Sequence, residues 1–257
     1  MSSYVLPHDR AGERQRLALM SRLMDPLQRR LLISLGLRPD WRCLEVGCGN
    51  GSISRWLASR LIGGGHVVAS DIDTRYLDGL HASNLEVRRI DVVNDPLEHG
   101  AYDLVTARAV LHHLPARREA VEKMVAALKP GGLLLSIEPD FLPATAAEPD
   151  SMRAFWRGWL DWSVTAGIDY FIGRTLPSRL AELGLKGVGA EGHTAMYDGG
   201  SDWATYWLDT LNELGPKLLE SRHVSPELLS SFEELYADRH YWTSAIMFVA
   251  AWGRRGS

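Results

Sequence analysis

Leu44-Glu-Val-Gly-Cys-Gly-Asn-Gly51 decides how this 257-residue chain is read. Trp41 to Val46 has the composition of a buried strand and runs straight into glycines at 47, 49 and 51. Past them, Ile53, Trp56, Leu57 and Leu61 recur at helical spacing, so one helical face is apolar and packs on a sheet. Three alternate glycines let the backbone bend tightly and approach a ligand where any Cβ would collide. Such a strand-glycine-helix junction exposes backbone N–H groups at the carboxyl edge of an open α/β sheet, the usual ligand crevice of that architecture. A nucleotide-like ligand is expected at this bend.

The bend departs from a dinucleotide fingerprint. That pattern needs its third glycine at position 52, where Ser52 stands, and Glu45 puts a carboxylate two residues before the first glycine, unfavourable to a pyrophosphate. A carboxylate suits a ligand with cationic groups. Outward from the bend, His66–Ser70, Leu85–Val92, Tyr102–Thr106 and Leu133–Ile137 read as further strands, Leu85–Val92 being weakened by Arg88-Arg89. Helix-period segments lie between them: Tyr76, Leu77 and Leu80 after a Thr74 cap, and Val121, Met124, Val125 and Leu128 before a Lys129-Pro-Gly-Gly132 turn. Gly63-Gly64-Gly65 breaks the helix after the bend. The alternation predicts βαβ units and a parallel sheet.

With these residues in view, Leu44–Gly51 resembles the first motif of class I S-adenosylmethionine-dependent methyltransferases. Four further elements match in order: the strand ending at Asp71, Arg89-Ile-Asp-Val92, Asp103–Pro115 with its Leu-His-His-Leu, and Leu128–Leu135. The resemblance implies a Rossmann-like, doubly wound α/β fold: a seven-stranded, mostly parallel sheet with a helical lid inserted between strands five and seven. It also implies S-adenosylmethionine as cofactor, whose ammonium and sulfonium suit Glu45. Glu45, Gly47, Gly49, Asn50 and Gly51 would form the cofactor loop. Asp71 would take the ribose hydroxyls, Ile72 would lie against the adenine, Asp91 and the Val92 N–H would hold the adenine edge, and Ala107 and Tyr4 would complete the contacts. Residues 1–40 are expected as a helical leader, 41–140 as the cofactor-binding core, and 141–257 as lid helices and final strands.

Methyl transfer from a sulfonium is an in-line displacement, so positioning supplies much of the rate and a base helps when the acceptor must lose a proton. His112 and His113, at the start of a helix after strand four, are the candidate bases, but in the family that the chain resembles the same pair recurs with unrelated acceptors and orients the loop by hydrogen bonds, which is the stronger reading for either one. Arg108 is placed to pair a substrate carboxylate or to anchor the loop around Asp91. Past residue 140 the chain turns aromatic, with Phe155, Trp156, Trp159, Trp162, Trp203, Tyr206, Trp207 and Tyr236. These side chains either line an acceptor pocket or pack the lid onto the core. Ser225-Pro226 starts a helix through about 238, residues 186–197 supply one further strand, and Tyr241–Trp252 is the last.

Bulk properties narrow the function. Apolar residues make up 46% and charged residues 23%, the ordinary globular range. A net charge of -4 and a pI near 6.1 give no attraction for phosphate backbones, which disfavours nucleic acid. The pairs Arg88-Arg89, Arg117-Arg118 and Arg254-Arg255 read as solvated surface. Cys43 and Cys48 have no ligand-like partners, so neither a metal site nor a disulfide is expected. No apolar run reaches membrane length, and cytoplasm is the expected location. The expected activity is methyl transfer to oxygen, nitrogen or carbon of a small, secondary-metabolite-like acceptor, by a monomer or homodimer. Two alternatives stand beside it: a family member that binds the cofactor but catalyses cyclisation or rearrangement, and a nicotinamide oxidoreductase, against which Ser52 and Glu45 argue.

Overall fold

The computed structural model describes residues 11–256. Helix α1 (Ala11–Ser34) precedes β1 (Arg42–Val46), α2 (Ser52–Arg60), β2 (His66–Asp71), β3 (Leu85–Arg89), β4 (Tyr102–Arg108), α3 (Arg117–Ala127) and β5 (Leu128–Asp140). Then follow α4 (Leu142–Thr145), α5 (Asp150–Thr165), α6 (Ile172–Glu182), β6 (Lys186–Thr194), β7 (Tyr197–Asp198), α7 (Asp202–Glu220), α8 (Pro226–Ala237), β8 (Trp242–Thr243) and β9 (Met247–Arg254). Seven strands form one sheet in the order β3-β2-β1-β4-β5-β9-β6. All neighbours are parallel except β9, which runs antiparallel to both β5 and β6.

The central strands are apolar on both faces because helices cover both. Cys43, Leu104, Leu133 and Leu135 point to the layer formed by α1, α2 and the lid, and Leu44, Val105 and Leu134 point to the layer of α3 and α6. This is the doubly wound arrangement the motifs imply. The chain winds from β1 outward through β2 to β3 and then returns to β4 beside β1, so the crevice at the carboxyl ends of β1 and β4 is the topological switch point.

The lid is split in two by α6 and β6: α4 and α5 come before, α7 and α8 after. Its centre is an aromatic stack in which Trp156 and Trp207 meet edge-on at 5.0 Å and Phe155 and Trp156 at 5.2 Å. Ser225 caps α8 as read, its hydroxyl accepting from the Leu228 N–H. No helix among the described residues is long and apolar enough to cross a membrane.

Several local readings change. Asp73, not Thr74, caps the segment after β2, and only one 3-10 turn forms there, because the Asp73 carboxylate accepts the Arg75 N–H one residue early. Lys129–Gly132 does not end a helix in a free turn. It bulges out of β5 between the pairs Tyr102↔Leu128 and Leu104↔Leu133 and bonds to Arg255 through Gly131 and Gly132. The final run divides, with β8 pairing β7 in a separate ribbon and β9 entering the main sheet. Arg254 and Arg255 are not simply solvated: their guanidinium groups donate to carbonyls of Leu35, Gly131, Ala126 and Leu128.

Candidate active site

A cavity of about 450 Å³ opens at the switch point. The bend after β1 forms one wall. Gly47 has φ +66°, and a Cβ there would sit 2.3 Å from Val110 Cγ2, so only glycine lets this loop lie against the loop after β4. The Asp71 carboxylate, at the tip of β2, accepts the Gly49 N–H at 2.8 Å and the Asp73 N–H at 3.0 Å, fixing the bend to the neighbouring strand. Asn50 ties it to α1, its Oδ1 accepting from the Ser21 hydroxyl at 3.0 Å and the Ser52 N–H at 3.2 Å.

Acidic groups dominate this half of the cavity, where Glu45, Asp71, Asp73 and Asp91 all line the wall. Burial pushes the Glu45 carboxyl up to about 7 even though the Ser54 hydroxyl donates to it. Asp91 accepts from Val93 N–H, Asn94 N–H and the Asn94 amide, and these bonds outweigh the upward pull of its partial burial and hold it below the usual carboxylate range. The two arginines of the lining are each paired: Arg16 with Glu13 in a two-bonded contact at 2.7 Å, Arg108 with Asp25 at 3.0 Å.

The other half is apolar, formed by Phe141, Trp159, Ile168, Tyr170, Tyr206, Trp207 and Phe248, with His112 and His113 at its border with the acidic half. His112 is buried in the 3-10 turn Leu111–His113, and its Nδ1 lies 3.0 Å from Oε2 of Glu138. Glu138, fully buried near the end of β5, also accepts the backbone N–H groups of Val110, Leu111 and His112. Burial drives His112 down to about 3 and Glu138 up to about 7, so the imidazole is uncharged at neutral pH. A carboxylate that accepts from every other neighbour draws the imidazole proton to Nδ1. The lone pair is then on Nε2, the ring edge turned away from Glu138.

Of the expected residues, Glu45, Gly47, Gly49, Asn50, Asp71, Ile72, Asp91, Val92, Arg108, His112 and His113 all line the cavity. Gly51 and Ala107 do not. Gly51 starts α2 at φ +71° with its missing Cβ directed 2.6 Å from Leu80 Cδ2, so its role is packing. Ala107 is fully buried within β4, paired with Val46 and Ser136, and Arg108 and Ala109 supply the wall there. Arg108 anchors neither Asp91 nor an open position: it binds Asp25 and Gln28 and so holds α1 over the sheet. Tyr4 lies outside the described residues. Sequence reasoning missed Glu138, whose only signal is an acid ending the apolar run Leu133–Ile137, and missed Glu13 and Arg16, which sit in a helix without motif.

Comparison with known proteins agrees with the geometry. Residues 44–134 match the family model described as a methyltransferase domain. Over 121 residues the chain is 33% identical to the ubiquinone/menaquinone biosynthesis C-methyltransferase UbiE of Ectopseudomonas mendocina, a match covering 44% of this chain and 47% of that protein. Its fold is similar to phosphoethanolamine N-methyltransferase 2 of Haemonchus contortus, solved with phosphomonomethylethanolamine and S-adenosylhomocysteine (14% identity, 95% of this chain and 58% of that one, TM-score 0.63). It is also similar to geranyl diphosphate C-methyltransferase of Streptomyces coelicolor (16% identity, 98% and 87%, TM-score 0.55). The chain spans about half the length of the curated relatives it matches, or less.

Proposed function

We propose that this chain, which belongs to the class I S-adenosylmethionine-dependent methyltransferases, moves a methyl group from S-adenosylmethionine to a small, largely apolar acceptor that must surrender a proton. The wall chemistry fits the cofactor. Four carboxyl-bearing residues surround the glycine bend, and both lining arginines are taken up by acids, so the site favours a cationic adenosyl ligand over a pyrophosphate. Asp71 would accept the ribose hydroxyls with the lone pairs left by Gly49 and Asp73, Ile72 and Val92 would enclose the adenine, and Glu45 would face the amino-acid end. When bound, the cofactor supplies an electrophilic methyl on a sulfonium.

The observation that carries the reading is the His112–Glu138 pair at the border between the acidic half and the apolar half of one cavity. Phe141, Trp159, Tyr170 and Trp207 hold the acceptor's apolar body and exclude water. Nε2 of His112 takes the acceptor's proton as the methyl arrives, while Glu138 keeps the imidazole in the Nδ1–H tautomer and stabilises the charge it gains. Burial keeps the imidazole uncharged and lowers its hold on a proton, so the Glu138 carboxylate at Nδ1 is what lets it accept one. The reading is tested by titrating the protein with S-adenosylhomocysteine and then following S-adenosylhomocysteine release across a panel of phenols, enolisable ketones and amines. Binding with turnover on at least one proton-bearing acceptor is expected. No heat of binding would overturn the cofactor assignment.

A further inference from the structure

A second cavity, of about 590 Å³, lies on the far side of Ile168 and Tyr170, which line both it and the first. Its apolar lining is Leu160, Val164, Ile168, Tyr170 and Phe171, Val164 being largely exposed, and the same lining carries Arg117, Arg153 and Arg157. Arg153, Arg157, Leu160 and Val164 fall along one face of α5, so the groove is a stripe of that helix facing the start of α3 and the loop after α5.

These arginines are under-neutralised. Among the described residues Arg153 pairs only with Asp150, which is 96% exposed and therefore bound weakly. Arg117 donates to the Gly167 carbonyl at 2.7 Å but lies 3.8 Å from Asp169, and its Nε is buried without a hydrogen-bond partner. Arg157 has no ion pair among the described residues. Asp161 and Asp169 are the acids in the lining, against three guanidinium groups. An apolar trough edged by forked donors suits an amphiphile with a phosphate or carboxylate at one end.

The shared wall gives the groove its relation to the chemistry. Tyr170 stacks at 5.6 Å between ring centroids on His112 and at 4.3 Å on Phe141, and Arg117 fixes the loop that carries it through the Gly167 carbonyl. One boundary residue therefore touches both the proposed base and the cationic groove.

Resting on the methyl-transfer reading of the first cavity, we infer that the Arg117–Arg153–Arg157 groove is a second binding site, for an amphiphile with a phosphate or carboxylate at one end, separated from the proposed base by the Tyr170 wall.

Calorimetric titration with 1-naphthyl phosphate and, separately, with inorganic phosphate tests this, on protein with and without S-adenosylhomocysteine. Naphthyl phosphate is expected to bind at least tenfold tighter than inorganic phosphate. In Arg153→Ala/Arg157→Ala its affinity is expected to fall tenfold or more, with S-adenosylhomocysteine affinity unchanged within twofold. Both arginines lie on the solvent side of α5, and alanine preserves the helix. Absence of naphthyl phosphate binding, or equal binding by the double variant, would overturn the assignment. Inorganic phosphate binding as tightly as naphthyl phosphate would mark a free-anion site and overturn the amphiphile assignment. Loss of S-adenosylhomocysteine binding in the unaltered protein would instead strike the methyl-transfer reading, a separable result.

Discussion

Replacing Glu138 by glutamine exchanges one carboxylate oxygen for an NH2 group in a fully buried site. Oε1 keeps its bonds from Val110 at 3.1 Å and Leu111 at 3.0 Å, but the new amide nitrogen faces the His112 backbone N–H at 3.3 Å and Nδ1 at 3.0 Å. One backbone donor loses its acceptor, which costs about 1–3 kcal/mol of stability. The imidazole recovers a bond only by moving its proton to Nε2, and the lone pair proposed as the base disappears. We expect kcat to fall by about 10²–10⁴, the range for a lost general base or a wrong histidine tautomer. S-adenosylhomocysteine affinity should stay within a few-fold, since Glu138 is not part of the cavity lining. The assay is S-adenosylhomocysteine release at saturating acceptor over pH 5–9. In the unaltered protein the rate should rise as Glu138 ionises near its raised value of about 7 and level off above, whereas the glutamine variant should be flat and low. A folded variant with kcat within threefold of the unaltered protein would refute the base assignment.

Asp71→Ala removes the anchor of Gly49 and the proposed ribose acceptor, and should weaken S-adenosylhomocysteine binding by about 1.5–3 kcal/mol by calorimetry; unchanged affinity would remove the ribose assignment. Gly51→Ala forces a Cβ into Leu80 at a left-handed φ and should lower the urea unfolding free energy by about 1–3 kcal/mol while the folded fraction binds S-adenosylhomocysteine normally. Glu45 has its carboxyl raised from 4.5 to about 7 in the fold. Its contribution to stability is therefore present below about pH 4.5 and lost as pH rises through about 7, on the order of 3 kcal/mol at 1.36 kcal/mol per unit. Relative to Glu45→Gln, the unaltered protein should lose roughly that amount between pH 4 and pH 8 in urea titrations; parallel curves would show that the fold does not raise the carboxyl above its unfolded value.

The sheet was legible because its strands announce themselves locally: Arg42–Val46, His66–Asp71 and Tyr102–Arg108 are apolar, short, and bounded by glycine or polar breaks. The acidic half of the cavity was legible for a related reason, since glycines and the Asp71 strand tip are set by chain-neighbour geometry. What escaped reading depends on distant partners. Glu138 acquires meaning only when β5 lies beside β4 and brings it under three N–H groups of the next loop. Arg108 faced two imagined partners, and the actual ones, Asp25 and Gln28, come from a helix 83 and 80 positions earlier in the sequence. The KPGG segment has every local mark of a turn, yet pairing on both sides of it turns it into a bulge. Trp156 and Trp159 share a helix and a spacing. The first is core alone and the second also lines the cavity, a distinction that only the packing of α7 and α8 creates.

Strand β9, paired on both sides, is also the last part of the sheet to be synthesised. Asp140, at the end of β5, waits for Met247 as its register partner, and Leu133 waits for Arg254. During translation at about 5–20 residues per second, the growing polypeptide displays the open flank of β5 for on the order of ten seconds, a row of unmet amides beside Leu133, Leu135 and Ile137. Nascent chains stalled anywhere in the lid should therefore be sticky and dependent on a holding chaperone, and the protein should gain protease resistance abruptly once Met247–Arg254 clears the ribosome.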